Sequence, residues 1–510
     1  MKLERTKNAK KGIAWGLIER LITVLFTFVI RTVIIKTLGK EYLGLNSLFT
    51  SILQILNLSE LGFSSAVVYS LYKPVAEEDY NTIGAILQFY KKVYRVIGLS
   101  ILLVGIVLIP FLPHLIKGNV PDDVNLIVLY LLYLSGSACS YLLFAYKNAI
   151  LVAYQKNNIV SSINTWVHLG VYILQIVGLF IFENYYWYVI LLVISYIVIN
   201  ITTAVVANHL FPEIVVTGEI EKSVVNDIIE KVKGLFVAKL CGVTRNTLDS
   251  VFVSTFLGLG ILAIYDNYYR IVYSIFTVLT IILNSIRSGV GNSLVTESKE
   301  KNYEDFHKFV FLYSWISGWC LICLMCLFQP FMHLWMGKEM MLNNLYIFIF
   351  GIYFYSLSLG DIRTVYFDAA GLWWYGVKYS LGESIVNVFL NWILVKWIGL
   401  SGVMISTIIS IILVNFLMSS RLLYKYYFTS YKVRDFFGWH FKYACITIGI
   451  CLFTVLICHN IIEKYSLKTL LLRFIICCIL PNILYLLIYR RQREWKYIEP
   501  ILSKLRKKNI

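Results

Sequence analysis

Several charged side chains lie inside long apolar segments, and their types and spacing decide what chemistry the chain can offer. In the first segment Glu19, Thr23, Thr27 and Arg31 recur every four residues down one drifting helical face, with Arg20 beside them. Farther along, Lys239, Asn246 and Asp249 share a stripe, and Arg245 stands four residues before Asp249. Asp266 and Arg270 follow at i, i+4, then Asn284, Arg287 and Gly291, then Asp361, Arg363 and Asp368. A charge at a bilayer centre costs about 2.5–3.5 kcal/mol on insertion scales, so such residues face a wet cavity or pair with one another. The spacings Asp266–Arg270 and Arg245–Asp249 suit local ion pairs, whereas Arg31 has no acid four residues away on either side. Arg363, Asp368 and Lys378 are expected at the inner surface. The excess of Arg over acid in these segments makes a cationic lumen, and the planar guanidinium is the natural partner of phosphate.

Other motifs carry little. Gly258-Leu259-Gly260-Ile261-Leu262-Ala263 fits a dinucleotide fingerprint in letters, but it sits at a turn between two apolar segments with no strand before it. Cys320, Cys323 and Cys326 have a ligand-like spacing inside one apolar segment without a His or Asp partner, and Cys477-Cys478 lie mid-segment. All five are expected to act as small buried hydrophobes. No phosphate-cradling Walker loop, HExxH or Gly-x-Ser-x-Gly occurs, so no cofactor, no metal and no enzymatic reaction are expected.

These side chains must be positioned by membrane helices. Of 510 residues, 59% are hydrophobic and 15% charged, with a mean hydropathy of +0.72. Soluble domains are about 45–50% apolar and 25% charged, so the chain is all-α and polytopic. At roughly 20 residues per crossing, the apolar runs predict about fourteen transmembrane helices. No removable signal peptide is expected, because the first segment carries Glu19, Arg20 and Arg31. The net charge of +17 is concentrated in alternate loops and at both ends, as the positive-inside rule requires. It therefore argues for membrane lipids as the partner of the basic ends, against nucleic acid, and for both termini in the cytoplasm. Residues 73–92, 211–233 and 428–440 are expected to face in, and 117–124 and 332–343 to face out.

A repeat at a spacing of 219 residues organises the chain. Gly39 recurs as Gly258, Asn125 as Asn344, and Arg20 as the cation Lys239, while Pro110-Phe111 recurs one residue out of step as Pro330-Phe331. The stripe Ser161, Asn164, His168 and Tyr172 recurs as Ser380, Glu383, Asn387 and Asn391. Two pseudo-symmetric six-helix bundles are predicted, residues 1–210 and 234–427, with a cytoplasmic amphipathic linker at 211–233. Residues 428–510 add two helices and a basic cytoplasmic tail. Two similar bundles rocking about a central site is a common plan for transporters. The clusters Tyr185-Tyr186-Trp187-Tyr188 and Trp373-Trp374-Tyr375 suit interfacial belts.

Lys10-Lys11-Gly12-Ile13-Ala14-Trp15, Thr37-Leu38-Gly39-Lys40-Glu41-Tyr42-Leu43-Gly44-Leu45 and Glu60-Leu61-Gly62-Phe63 resemble the bacterial polysaccharide (O-antigen or capsule) flippases. These belong to the multidrug/oligosaccharidyl-lipid/polysaccharide exporter superfamily. The resemblance spans the chain and implies flipping of undecaprenyl-diphosphate-linked oligosaccharide across the bacterial cytoplasmic (inner) membrane by alternating access. It implies a polysaccharide polymerase and chain-length proteins as partners, and coupling to H⁺ or Na⁺. On this reading Arg20, Arg31, Lys239, Arg245, Arg270 and Arg287 bind substrate in a cavity between the halves, and Glu19, Asp249 and Asp266 are candidates for ion coupling. The alternatives are a cation-coupled multidrug exporter, which would favour an acidic cavity, and a membrane enzyme of polysaccharide assembly, which would carry a large charged outer loop.

Overall fold

The computed structural model describes residues 5–57, 63–461 and 465–500, and side chains from Lys11 onward except 13, 65, 227, 231, 233–241, 244–246, 288, 373, 460 and 461. Within these residues the secondary structure is all helical. The order is α1 (Arg5–Thr37), α2 (Lys40–Leu56), α3 (Phe63–Ala76), α4 (Tyr80–Leu108), α5 (Leu126–Leu142), α6 (Lys147–Ala153), α7 (Asn157–Phe182) and α8 (Tyr185–Leu210). It continues with α9 (Lys222–Leu257), α10 (Leu259–Thr296), α11 (Lys299–Met336), α12 (Asn344–Ser358), α13 (Asp361–Ala369) and α14 (Trp373–Ile398). Last come α15 (Leu400–Ser410), a π-helical stretch (Ile411–Met418), α16 (Ser419–Tyr426), α17 (Val433–Ile461) and α18 (Leu467–Tyr489).

Ten helices among the described residues are long and apolar enough to cross a membrane, or eleven if α5 and α6, bent by 54°, make one span. That is fewer than the fourteen expected, for identifiable reasons. The first segment is one helix, α1, but it carries Glu19, Arg20, Arg31 and Lys36. The expected span 43–72 falls on two helices, α2 and α3, either side of residues 58–62, which lie outside the described residues together with most of the Glu60-Leu61-Gly62-Phe63 signature. In α9 the side chains of residues 233–241 and 244–246 lie outside the described residues, and the apolar stretch among the described ones is the short Thr247–Leu257. The surface that remains is suited to lipid: Val96, Leu99, Leu103 and Val107 form an exposed apolar stripe along α4.

The 219-residue offset reappears in the element order. It carries α1 onto α9, the pair α2 and α3 onto the single helix α10, and α7 onto α14 to within a few residues. Gly39 and Gly258 play the same part, breaking the chain between two helices at φ of 117° and 95°. A side chain is strained in that region, so glycine marks both turns. The caps repeat one residue out of step: the Asn125 side chain accepts from the Ile127 and Val128 amides, whereas Asn343, not Asn344, accepts from the Tyr346 amide.

Two compact units are present, Met1–Ala263 and Ile264–Ile510. In the first, α7 lies along α1 and α8, α5 packs on α4 and α8, and α9 packs on α2 and α3. Gly44 of α2 permits a close approach to the start of α10, since a Cβ would stand 2.3 Å from the Leu259 carbonyl oxygen. In the second, α11 is central, in contact with α12, α17 and α18, while α14 and α15 form a hairpin. The linker expected over 211–233 is not a separate helix. Helix starts at Lys222 and runs unbroken to Leu257, and Ile228 and Val232 of its amphipathic face are buried against protein.

Candidate functional site

In the first unit the polar stripe of α7 faces the polar face of α1. The Asn164 amide donates to Glu19 Oε1 at 3.0 Å, and Glu19 is also within electrostatic reach of His168. The His168 ring stacks on Tyr172, and Tyr172 on Phe26. Thr23 adds to this surface through a side-chain hydrogen bond with Tyr172, and Thr27 lies one turn farther along α1. Their hydroxyls donate to the carbonyls of Glu19 and Thr23, at 2.8 and 2.7 Å, the internal bond that hydroxyl residues make in helices.

Arg31 is 3% exposed. It lies within electrostatic reach of Tyr185, whose hydroxyl is 2.9 Å from that of Tyr133. Tyr133 donates to Asn46 Oδ1 at 3.1 Å, and the Asn46 amide faces the Tyr188 hydroxyl at 3.4 Å. The guanidinium thus sits beside a network of phenols and an amide. Tyr185 and its neighbours, at the first turn of α8, also make contacts within the protein. Tyr185 is 1% exposed, Tyr186 accepts from the Asn125 backbone amide at 2.8 Å, and the Trp187 indole donates to the Leu174 carbonyl at 3.1 Å.

The other candidates in this unit are placed as follows. Arg20 is half-buried on α1, and Asp249 is buried on α9 at 3% exposure. The side chains of Lys239 and Arg245 lie outside the described residues, although their backbone belongs to α9.

In the second unit Arg270 donates to Asp266 Oδ2 at 2.9 Å, so these two form the local pair that their spacing allows. Arg287 is exposed and lies 3.6 Å from Asp368 of α13. Arg363 corrects the expectation of a surface position: it is 4% exposed. Its Nη2 donates to Asn415 Oδ1 at 2.5 Å, and Asn415 Nδ2 donates to Glu383 Oε2 at 2.9 Å. A single amide therefore bridges a buried cation and a buried carboxylate, its oxygen serving the first and its nitrogen the second. Asn415 stands in the π-helical stretch, and such stretches often mark functional positions.

Farther along α14 the stripe continues into hydrogen bonds with α15. Asn387 donates to Thr407 Oγ1 at 2.9 Å, Asn391 to Asn387 Oδ1 at 3.2 Å, and Ser406 to Asn391. Sequence reasoning singled out Glu383, Asn387 and Asn391 but missed Asn415, Ser406 and Thr407. The available signal was the lone Asn in Ile411-Ile412-Leu413-Val414-Asn415-Phe416. What could not be read was that this Asn and Arg363, fifty-two residues apart, meet.

Chemically, each unit offers a buried guanidinium near hydrogen-bonding groups and a hydrogen-bonded carboxylate. A family model described as polysaccharide biosynthesis protein matches residues 9–286. No curated protein matches the sequence. Among solved structures, the chain is similar to the lipid II flippase MurJ in an inward closed conformation, with a TM-score of 0.63 and 15% identity over 94% of this chain and 99% of that one. It is similar to an inward-facing multidrug resistance MATE family transporter of the MOP superfamily, with a TM-score of 0.63 and 14% identity over 81% and 97% of the two chains. A Vibrio cholerae MATE transporter, VcmN, gives 0.56 and 14% over 85% and 99%. At such identities the likeness is one of fold: a multi-pass helical membrane protein of transporter architecture.

Proposed function

Because the chain belongs to the polysaccharide biosynthesis protein family, we propose that it is a flippase for undecaprenyl-diphosphate-linked oligosaccharide. It moves this substrate across the bacterial cytoplasmic membrane by alternating access, with both termini inside and without catalysing a reaction. The observation that carries this reading is Arg31, a cation buried on an apolar helix beside phenol and amide groups. Guanidinium binds phosphate oxygens in pairs, and in a low-dielectric setting that contact is strong.

Arg20, Arg31, Lys239, Arg245, Arg270 and Arg287 hold the diphosphate and acidic sugars in turn as the head group passes. The long apolar tail stays in the bilayer, since placing it in a wet cavity would expose it to water. Glu19, Asp249 and Asp266 carry the coupling H⁺ or Na⁺. Arg363 joins the substrate-binding set, with Glu383 and Asn415 setting its position.

The test follows the substrate. Cells lacking this chain should accumulate lipid-linked oligosaccharide in the inner leaflet, and restoring the chain should clear it; unchanged distribution of the intermediate would refute the proposal. The second reading, a cation-coupled multidrug exporter, draws on the MATE-like fold and on the buried carboxylates Asp249 and Asp266. It predicts proton- or Na⁺-dependent efflux of a cationic dye with no effect on the glycan.

A further inference from the structure

The cysteines that look inert in the sequence meet in space. Cys326 of α11, Cys458 of α17 and Cys477 of α18 have sulfurs all within 4.8 Å of one another. They are 3%, 1% and 0% exposed. Cys477 is the hub, in thiol hydrogen-bond contact with Cys326, Cys458 and also Cys323. Among the described residues no carboxylate or imidazole belongs to the group, so only sulfur is on offer.

We propose that Cys326, Cys458 and Cys477 bind a soft thiophilic cation, Zn²⁺ or Cu⁺, which clamps the C-terminal hairpin α17–α18 to α11. Metal–sulfur bonds of about 2.3 Å place three sulfurs about 3.8–4.0 Å apart, so loading requires a contraction of about 1 Å or less. Thiolates select these ions over Mg²⁺ or Ca²⁺, which require oxygen ligands. Each bond forms as a thiol releases its proton to water, three protons for three ligands. A cavity of about 390 Å³ is lined by Cys326 and Cys458 together with Gln329, His459 and Arg473, and provides the path for the ion in and the protons out.

Charge balance supports the site. Three thiolates around a divalent ion leave one net negative charge, expensive in an apolar interior unless it is paired. Arg473 lies within electrostatic reach of both Cys458 and Cys477, and its Nη1 donates to the Cys326 carbonyl at 3.3 Å. It sits one turn before Cys477 on α18, so the same helix delivers the ligand and the counter-charge.

The full-length chain, purified in detergent, reduced and stripped of metal, is titrated with Co²⁺ as the optical probe of a Zn²⁺ site, and separately with buffered Cu⁺. The expected result is a sulfur-to-metal charge-transfer band saturating at about one ion per chain, with a rise in thermal unfolding temperature on loading. Displacement of Co²⁺ by Zn²⁺ but not by Cu⁺ at equal free concentration identifies Zn²⁺ as the occupant, and the reverse identifies Cu⁺. Cys477→Ala and Cys458→Ala should each lose the band and the thermal shift, while Cys445→Ala, at an exposed cysteine, keeps both. Absence of a band in the unmodified chain, or an undiminished band in Cys326→Ala/Cys458→Ala/Cys477→Ala, overturns the proposal. If one alanine variant does not fold, the remaining variants and the titration of the unmodified chain still decide it. The result is independent of which substrate the chain transports.

Discussion

Arg31 and Arg363 are both buried cations, yet they predict different behaviour. Arg31→Ala should leave membrane insertion and abundance near normal while glycan export falls about 10- to 100-fold, the loss of a charge-assisted hydrogen bond of about 1.5–3 kcal/mol. Lys at this position should restore only part of it, because it keeps the charge but not the fork. An Arg31→Ala chain that fails to accumulate would point to a structural role instead. Arg363→Met takes the cation away from the bridge to Glu383, and breaking a buried pair costs about 3–5 kcal/mol. A double-mutant cycle with Glu383→Gln, read by thermal unfolding, should therefore show the double variant far less destabilised than the sum of the singles. Additive losses would mean that the Asn415 bridge does not couple the two. Arg270 requires a companion change for the same reason: Arg270→Gln alone takes the bonded cation from Asp266, so export should be measured in Arg270→Gln/Asp266→Asn, where a loss reflects the missing cation.

At the scale of elements, two contacts are open to direct test. Gly44 on α2 faces the Leu259 carbonyl so closely that a Cβ would clash at 2.3 Å with backbone, which cannot rotate away. Gly44→Val should therefore force these segments apart and lower the unfolding temperature, whereas Gly12→Ala, whose nearest neighbour would be 3.8 Å away, should not. Asp79 caps α4 by accepting from the Thr82 hydroxyl at 2.5 Å and the Thr82 amide at 3.0 Å. Those donors favour its ionised form and hold its pKa below the usual 3.8. The contribution of the cap is thus present above the unfolded-state value and lost as pH falls through the lower folded-state value. Faster hydrogen exchange in residues 80–83 of Asp79→Ala at neutral pH is the expected readout; unchanged exchange would show that the cap does not hold the first turn.

For the whole molecule, the basic loops and the repeat make a topology that can be checked without knowing the substrate. Single cysteines placed within 211–221 should react with an impermeant reagent only from the cytoplasmic side, and those within 117–124 only from outside, in a background lacking Cys445. Labelling of 211–221 from outside would reverse the orientation and with it the direction of transport proposed. If each half makes an even number of crossings, as the repeat predicts, corresponding loops of the two halves face the same side. The partition that follows the repeat, 1–210 and 234–427, remains a proposal beside the division by packing at Ala263. The two differ over α9, which begins the second repeat in sequence and packs on α2 and α3 in space.

Membrane class, helical content, the 219-residue repeat and the glycine turns at Gly39 and Gly258 were legible in the sequence alone. Each depends on local information: apolar run length, charge per loop, or the backbone angles one residue must adopt. The polar stripes on α7 and α14 were legible too, because helical period alone places i, i+3, i+4 and i+7 residues on one face. What faces a stripe depends on packing between distant segments. Only the tertiary structure decided that Asn164 meets Glu19 and that Asn415 joins Arg363 to Glu383. It alone showed that Tyr185 is buried against protein, and gathered Cys326, Cys458 and Cys477 from three helices. In an almost uniformly apolar chain, hydrophobicity says that a residue lies in a helix within the membrane. It cannot say which neighbour that residue meets, because lipid and protein interior are equally apolar and only shape and hydrogen bonding distinguish them.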